Sequence, residues 1–326
     1  MIVPGDTEKY SANDWKIVVA LGNFDGVHRG HQLLLRRMTA YAHKIDALSA
    51  VFLFYPHPQQ VLNPGRSPRL LLDTDKKIEL LKEQGADVVL MVPFNLEYAF
   101  LAPEDFMEKI LVAELHVSGV FVGYNYRFGR RAEGTPEQLR EFGEQKGFHV
   151  EVIPPVLYQE VPVSSTLVRR ALLSGDIHQA KELLGYSPIL KGKIVPGEQR
   201  GRKLGFPTAN VELPAELLLP QNGVYAGEAL LQGSRYLTVL NIGVHPTFGS
   251  GRERLIEAHL LGFQGDIYHQ GIEIRLMERL RDERKFDSSQ DLIRQIEKDI
   301  EAAKMLVNLD AGGRSSEVGN WNPPTW

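Results

Sequence analysis

Cysteine is absent from the 326 residues. That excludes disulfides, thiolate metal ligands and a cysteine nucleophile, and it suits a reducing compartment. Long apolar runs are missing as well: none approaches the roughly 18 residues that a membrane span needs, and Met1 to Trp15 carries acids without the apolar core of an export signal. Charge of one sign is not in excess, because 37 Lys and Arg stand against 41 Asp and Glu for a formal net charge of −4. No whole surface is therefore built for nucleic acid or an anionic membrane, and any anion site must be local. The expectation is an unexported, cytoplasmic protein with neither nucleic-acid nor membrane partners. No internal repeat is visible.

What is present divides into two halves of different periodicity. The length exceeds the usual size of one hydrophobic core, so two domains are expected, over 1–186 and 187–308, with a disordered tail over 309–326. In the first half, Ile17 to Leu21, Ala50 to Phe54, Asp87 to Val92, Gly119 to Gly123 and His149 to Ile153 read as strands separated by helical patterns. Such alternation implies an α/β domain with a parallel sheet. Leu34, Met38, Tyr41, Ala42 and Ile45 fall at helical spacing and mark a core-facing stripe. Thr135, Pro136 and Gln138 form a capping box with a first-turn proline, and Gly147 suits the other end of that helix.

The first strand runs directly into Gly22-Asn23-Phe24-Asp25-Gly26-Val27-His28-Arg29-Gly30-His31. Glycines permit a tight turn and close backbone approach, the following helix offers free N–H groups at its positive end, and His28 and His31 add side-chain donors. The combination suits the phosphates of a nucleoside triphosphate. Ligand crevices of open parallel sheets lie at the carboxyl ends of the strands. There the motif is joined by Tyr55-Pro56-His57-Pro58 and by Gly123 to Arg130.

In the second half, Ile189 to Val195, Val224 to Leu231, Tyr236 to Ile242, Leu255 to Leu261 and Ile272 to Leu280 read as strands of an antiparallel barrel, followed by a helix over Ser288 to Leu306. Between Gly192 and Asn210, glycines at 192, 197, 201 and 205 alternate with bases at 193, 200, 202 and 203. The loop reads as an anion site or as a solvated hairpin; no Gly-Lys-Ser/Thr closes it, so it is not a Walker A loop. Thr208 and Asn210 offer oxygens to a metal. Glu257, on an apolar strand, is either an inward general base or a carboxylate on the solvent face.

Both halves together resemble the prokaryotic bifunctional riboflavin kinase/FAD synthetase family, from about Lys16 to Leu306. The first half is similar to its FMN adenylyltransferase module in Gly22 to His31, Pro56-His57-Pro58, Gly123 to Gly129 and Ser164 to Arg169. The second resembles the riboflavin kinase module in Arg200-Gly201-Arg202, Leu204 to Asn210, Asn222 to Tyr225, His245 to Phe248 and Ile256-Glu257. Tyr55 and Gly262 depart from the family pattern, which often has acids there.

The resemblance implies a Rossmann-like nucleotidyltransferase domain and a riboflavin kinase barrel. They would convert riboflavin and ATP to FMN, then FMN and a second ATP to FAD, with Mg²⁺. It implies catalytic roles for Glu257, His28 and His31. Nucleotide or phosphate contacts would come from Gly22, Asn23, Phe24, Asp25, His57, Ser164, Thr166, Arg169, Gly197, Arg200, Gly205 and Thr208. Flavin contacts would come from Asn125 and Arg281, and metal contacts from Thr208 and Asn210. Readings set against it are a single nucleotidyltransferase activity with a flavin-binding barrel, and a flavin-binding regulator with vestigial sites.

Overall fold

A computed structural model describes residues 2–3, 16–197, 201, 204–246 and 252–312. The chain divides into two compact units. One comprises Met1–Arg170, Glu182–Tyr186 and Glu216–Leu218; the other comprises Ala171–Lys181, Ser187–Ala215 and Leu219–Trp326.

The first unit is built from β1 (Ile2–Val3), β2 (Ile17–Leu21), α1 (Arg29–Lys44), β3 (Leu48–Tyr55), α2 (Pro58–Leu62), α3 (Thr74–Glu83), β4 (Val88–Pro93) and α4 (Leu96–Ala99). Then come α5 (Pro103–Asp105), continued as a π-helix over Phe106–Glu114, β5 (Val117–Gly123), α6 (Pro136–Lys146) and β6 (His149–Ile153). A short hairpin of β7 (Leu157–Tyr158) and β8 (Val161–Pro162) leads to α7 (Ser165–Leu173) and α8 (Ile177–Leu184), whose residues divide between the units.

The sheet order is β1-β4-β3-β2-β5-β6, parallel from β4 to β6, with β1 antiparallel at the edge. All five strands expected from the apolar runs are present; β1, only two residues long, carries no periodicity to read. Leu34, Met38 and Ala42 of α1 are buried as expected, whereas Tyr41 and Ile45 are half-buried. Thr135 and Gln138 form both halves of the capping box on α6, and Gly147 ends that helix with φ 81°.

The chain leaves β2 for β3 and β4 on one side, then returns to place β5 and β6 on the other. The strand order therefore reverses at β2, the topological switch point where open sheets bind ligands. The loops that follow β2 and β5 flank it.

The second unit is a closed antiparallel barrel of six strands, in the order β10-β13-β12-β11-β14-β9. They are β9 (Ile189–Val195), β10 (Ala209–Glu212), β11 (Gly223–Leu231), β12 (Ser234–Pro246), β13 (Arg252–Leu260) and β14 (Gly271–Arg281), and α9 (Ser289–Gly312) follows. The sequence patterns account for five of the six. The missing one, β10, pairs with both β9 and β13 and so closes the barrel. Tyr225, Leu240, Ile242, Ile256, Ala258 and Leu276, each at most 1% exposed, fill the interior. Val224, Ala226 and Val239 lie on the outer face and pack against Ala303 of α9. This helix runs beyond Leu306, where the apolar stripe stops, to Gly312. The rest of the tail, 313–326, lies outside the described residues.

Arg281 fastens the helix. Its Nε and Nη2 donate to the Oδ1 and Oδ2 of Asp299 at 3.0 and 2.8 Å, and Gln295 Nε2 also donates to that carboxylate at 2.7 Å. The guanidinium expected at the flavin is thus engaged within the fold, because Asp299 is buried and needs a cation. Replacing Arg281 by Met leaves that carboxylate buried and unpaired. We expect a loss of about 3 kcal/mol in urea unfolding of the barrel, the lower end for a broken buried pair because Arg281 keeps some exposure.

Candidate functional site

In the first unit, the loop after β2 is set by buried residues in unusual backbone conformations. Phe24 has φ 48° and Val27 φ 34°, and both are at most 1% exposed. Burial holds strain of a kind that clusters at functional sites. The loop delivers His28 to the N-cap of α1, where its Nδ1 accepts the His31 N–H at 3.4 Å. Neutral His28 then carries its proton on Nε2. The two imidazoles stack at 3.6 Å and 16°, and Gly30 makes room, since a Cβ there would lie 3.2 Å from the His28 ring.

Burial pushes His28 down to about 4 and His31 well below its ordinary value. Both are neutral donors near pH 7, and the Nδ1 of His31 is buried without a partner. His57, at the N-cap of α2, accepts the Gln59 N–H at 3.2 Å while Gln60 Oε1 accepts the His57 N–H. Burial, then the charges of Lys77 and Arg169, hold His57 at about 4.

The other expected residues divide. Asp25 is engaged within the fold: its buried carboxylate accepts the Leu71 N–H at 3.0 Å and pairs with Arg169. Burial raises its pKa, and Arg169 and Lys77 oppose that shift. Its part is to anchor the loop. Arg169 also donates from Nε to the Arg69 carbonyl at 2.8 Å. Ser164 accepts the Leu167 N–H at 3.3 Å as a helix cap, and Ser165 donates to the Asp25 carbonyl at 2.8 Å. Thr166, Asn23 and Asn125 are exposed, and Gly22 lies against the Phe24 ring.

Lys77 was missed. Adjacent to Lys76 it looks like part of a solvated charge run, yet it lies three and four positions before the buried Leu80 and Leu81, on the apolar stripe of α3. It is 6% exposed, with Nζ 3.5 Å from the carbonyl of Asn23.

In the second unit, strand register assembles the site. Asn210 on β10 faces Glu257 on β13, which faces Asn241 on β12. Directly opposed residues share a face, so three polar side chains form one row. Ile256 and Ala258 fill the interior, so Glu257 between them lies on the outer face, half-buried. The inward alternative is thereby corrected: strict alternation sends the glutamate outward.

Asn210 is 8% exposed and packs against Gly197, where a Cβ would fall on the Asn210 amide itself. The loop between them turns at Gly201, whose carbonyl accepts the N–H groups of Leu204 and Phe206 at 3.0 and 2.9 Å, with Gly205 at φ 89°. Thr208 is exposed one residue before β10, on the same face as Asn210. Arg200, Thr247 and Phe248 lie outside the described residues.

Asn241 and Glu283 were also missed. Asn241 Nδ2 donates to Glu283 Oε1 at 3.1 Å, and Asn222 Nδ2 donates to the other oxygen at 3.2 Å. Gly243 leaves space for the carboxylate. A carboxylate only accepts, so the orientation of the Asn241 amide is fixed and its Oδ1, buried without a partner, is turned elsewhere. Among the described residues no group of three or more His, Asp or Glu could hold a metal. The hydroxyl of Thr208 and the amide oxygen of Asn210 are hard donors, which suits Mg²⁺ held largely by phosphates.

Residues 10–167 match the family described as FAD synthetase, and residues 184–307 the one described as riboflavin kinase. The bifunctional riboflavin kinase/FMN adenylyltransferase of Bacillus subtilis is 36% identical over 298 residues, covering 90% of this chain and 94% of its own. That of Escherichia coli K12 is 37% identical over 293 residues, covering 90% and 93%. Among solved structures, a Streptococcus pneumoniae chain described as a macrolide-efflux protein superposes with TM-score 0.83 at 30% identity, covering 91% of this chain and 96% of its own. Efflux is said of that protein; among the described residues here no helix is long and apolar enough to cross a membrane. Two family matches in tandem, with relatives that align across both, make this chain a member of the bifunctional riboflavin kinase/FMN adenylyltransferase family.

Proposed function

We propose that the two reactions of this enzyme are divided between its units, riboflavin phosphorylation on the outer face of the barrel and FMN adenylylation at the loop after β2. The observation that carries this reading is the row Asn210, Glu257 and Asn241, three polar residues brought from three strands into direct register. A cytoplasmic setting suits the cysteine-free chain.

For the kinase reaction, the ribityl 5′-hydroxyl is a poor nucleophile. Glu257 takes its proton as the oxygen attacks the γ-phosphorus of ATP and ADP leaves. Thr208 and Asn210 would hold Mg²⁺, which when bound neutralises charge on the phosphates. Gly197, Gly201 and Gly205 would bring backbone N–H groups to the nucleotide. Gly197 is a sensitive point, because any Cβ there displaces the Asn210 amide. Gly197→Ala is expected to lower FMN formation by about 10²-fold, as for a lost transition-state donor, with FAD formation from supplied FMN unchanged in the same preparation.

For adenylyl transfer, the FMN phosphate is already an anion, and the task is to align it with the α-phosphorus of ATP and to stabilise the departing pyrophosphate. His28 and His31 donate to the phosphates from the start of α1. Asn125 positions the flavin or nucleotide. Ser164, Thr166 and Arg169 shape the phosphate pocket at the start of α7.

The test is a chromatographic time course with riboflavin, ATP and Mg²⁺, repeated from FMN. FMN appearing first and FAD following supports the division. FAD formed only from supplied FMN reduces the barrel to a binding module and overturns it.

A further inference from the structure

We infer that Lys77 is a catalytic residue of the adenylyl-transfer site, its ammonium meeting the phosphates of ATP that leave as pyrophosphate. The inference rests on the reading that the Gly22 to His31 loop is that site. Lys77 lies on the apolar face of α3 with only 6% exposure, and its Nζ reaches into the loop at 3.5 Å from the Asn23 carbonyl. It forms no ion pair among the described residues.

The two carboxylates whose fields reach it are already engaged. Asp25 is held by Arg169 and the Leu71 N–H, and Asp73 caps α3 through the Lys76 N–H at 2.9 Å. A buried cation with one long hydrogen bond is costly unless an anion completes it. The groups feeling its charge are His31, His57 and Asp25. The His31 ring feels the charge of Lys77, while Arg169, whose charge reaches His57, is taken by Asp25.

In the reaction an FMN phosphate oxygen forms a bond to the α-phosphorus. The bond from that phosphorus to the bridging oxygen breaks, and the electron pair leaves on pyrophosphate. The ammonium offsets that growing charge and transfers no proton.

This role has a signature that a structural lysine lacks. If the charge awaits an anion, removing it relieves the free protein. Lys77→Met is therefore expected to slow amide exchange in β2, or leave it unchanged, without nucleotide. It should also abolish the extra protection that millimolar inorganic pyrophosphate confers on the parent chain. FAD formation from FMN should fall at least about tenfold, Lys77→Arg should restore part of it, and FMN formation from riboflavin should be unaffected.

A Lys77→Met chain whose β2 exchanges faster and still responds to pyrophosphate would overturn the inference, as would FAD formation within about twofold of the parent. His31→Ala in the same assays separates the two levels. If it alone loses FAD formation, the loop is the site and Lys77 has no part in the chemistry; if neither variant loses it, the site itself is misplaced.

Discussion

Glu257→Gln is expected to abolish FMN formation while leaving FAD formation from supplied FMN intact. The substitution keeps shape and one accepting oxygen but removes the ability to accept a proton, and general-base contributions are worth about 10²–10⁴-fold. Glu257 lies between Asn210 and Asn241 in the cross-strand row, so a neutral amide there disturbs packing little. The measurement is single-turnover conversion of riboflavin with ATP in excess, products resolved by chromatography. A KM for riboflavin near the parental value with a collapsed turnover would place the loss in the chemical step. Turnover within a few fold of the parent would show that the hydroxyl loses its proton elsewhere.

The complementary variant is His28→Ala. It removes the Nε2 donor and also the Nδ1 acceptor that receives the His31 N–H, and it unstacks the His31 ring. Loss of a transition-state donor costs about 10²–10³-fold in rate, and FAD formation should fall by at least that while FMN formation persists. His28→Asn, which retains a cap for α1, separates donor loss from helix fraying: if the cap were the whole role, Asn would restore the rate. Equal loss of both activities in the alanine variant would instead point to misfolding of the chain or to tight coupling of the two activities.

Much of this was legible because period and punctuation carry it. The five parallel strands follow from apolar runs, and α6 was framed by its own caps. The Gly192 to Asn210 loop was visible as glycines and bases. Its last residues were not legible as a strand. Ala209–Glu212 is four residues long, follows a turn rich in glycine, and is defined by two partners distant in sequence. The placement of Glu257 needed the interior to be known, since alternation names two faces without saying which is filled.

Lys77 stayed hidden because charge suggested solvent, although its spacing to Leu80 and Leu81 already argued otherwise. Glu283 could not have been found. It reaches Asn241 across 42 residues and Asn222 across 61, and no local pattern encodes that meeting. The same holds for Arg281 and Asp299, where the family resemblance implies a flavin contact and tertiary structure supplies a carboxylate.

The six-stranded barrel is solid. With Tyr225, Leu240 and Ile256 filling its interior, the barrel offers its outer wall for chemistry, and on the reading proposed above the row of Asn210, Glu257 and Asn241 is laid along that wall like type set on a cylinder. Interior and exterior are written on alternate residues of the same strands. Drift in the filling therefore leaves the printed face legible, and a face can be reset for another alcohol without recasting the drum.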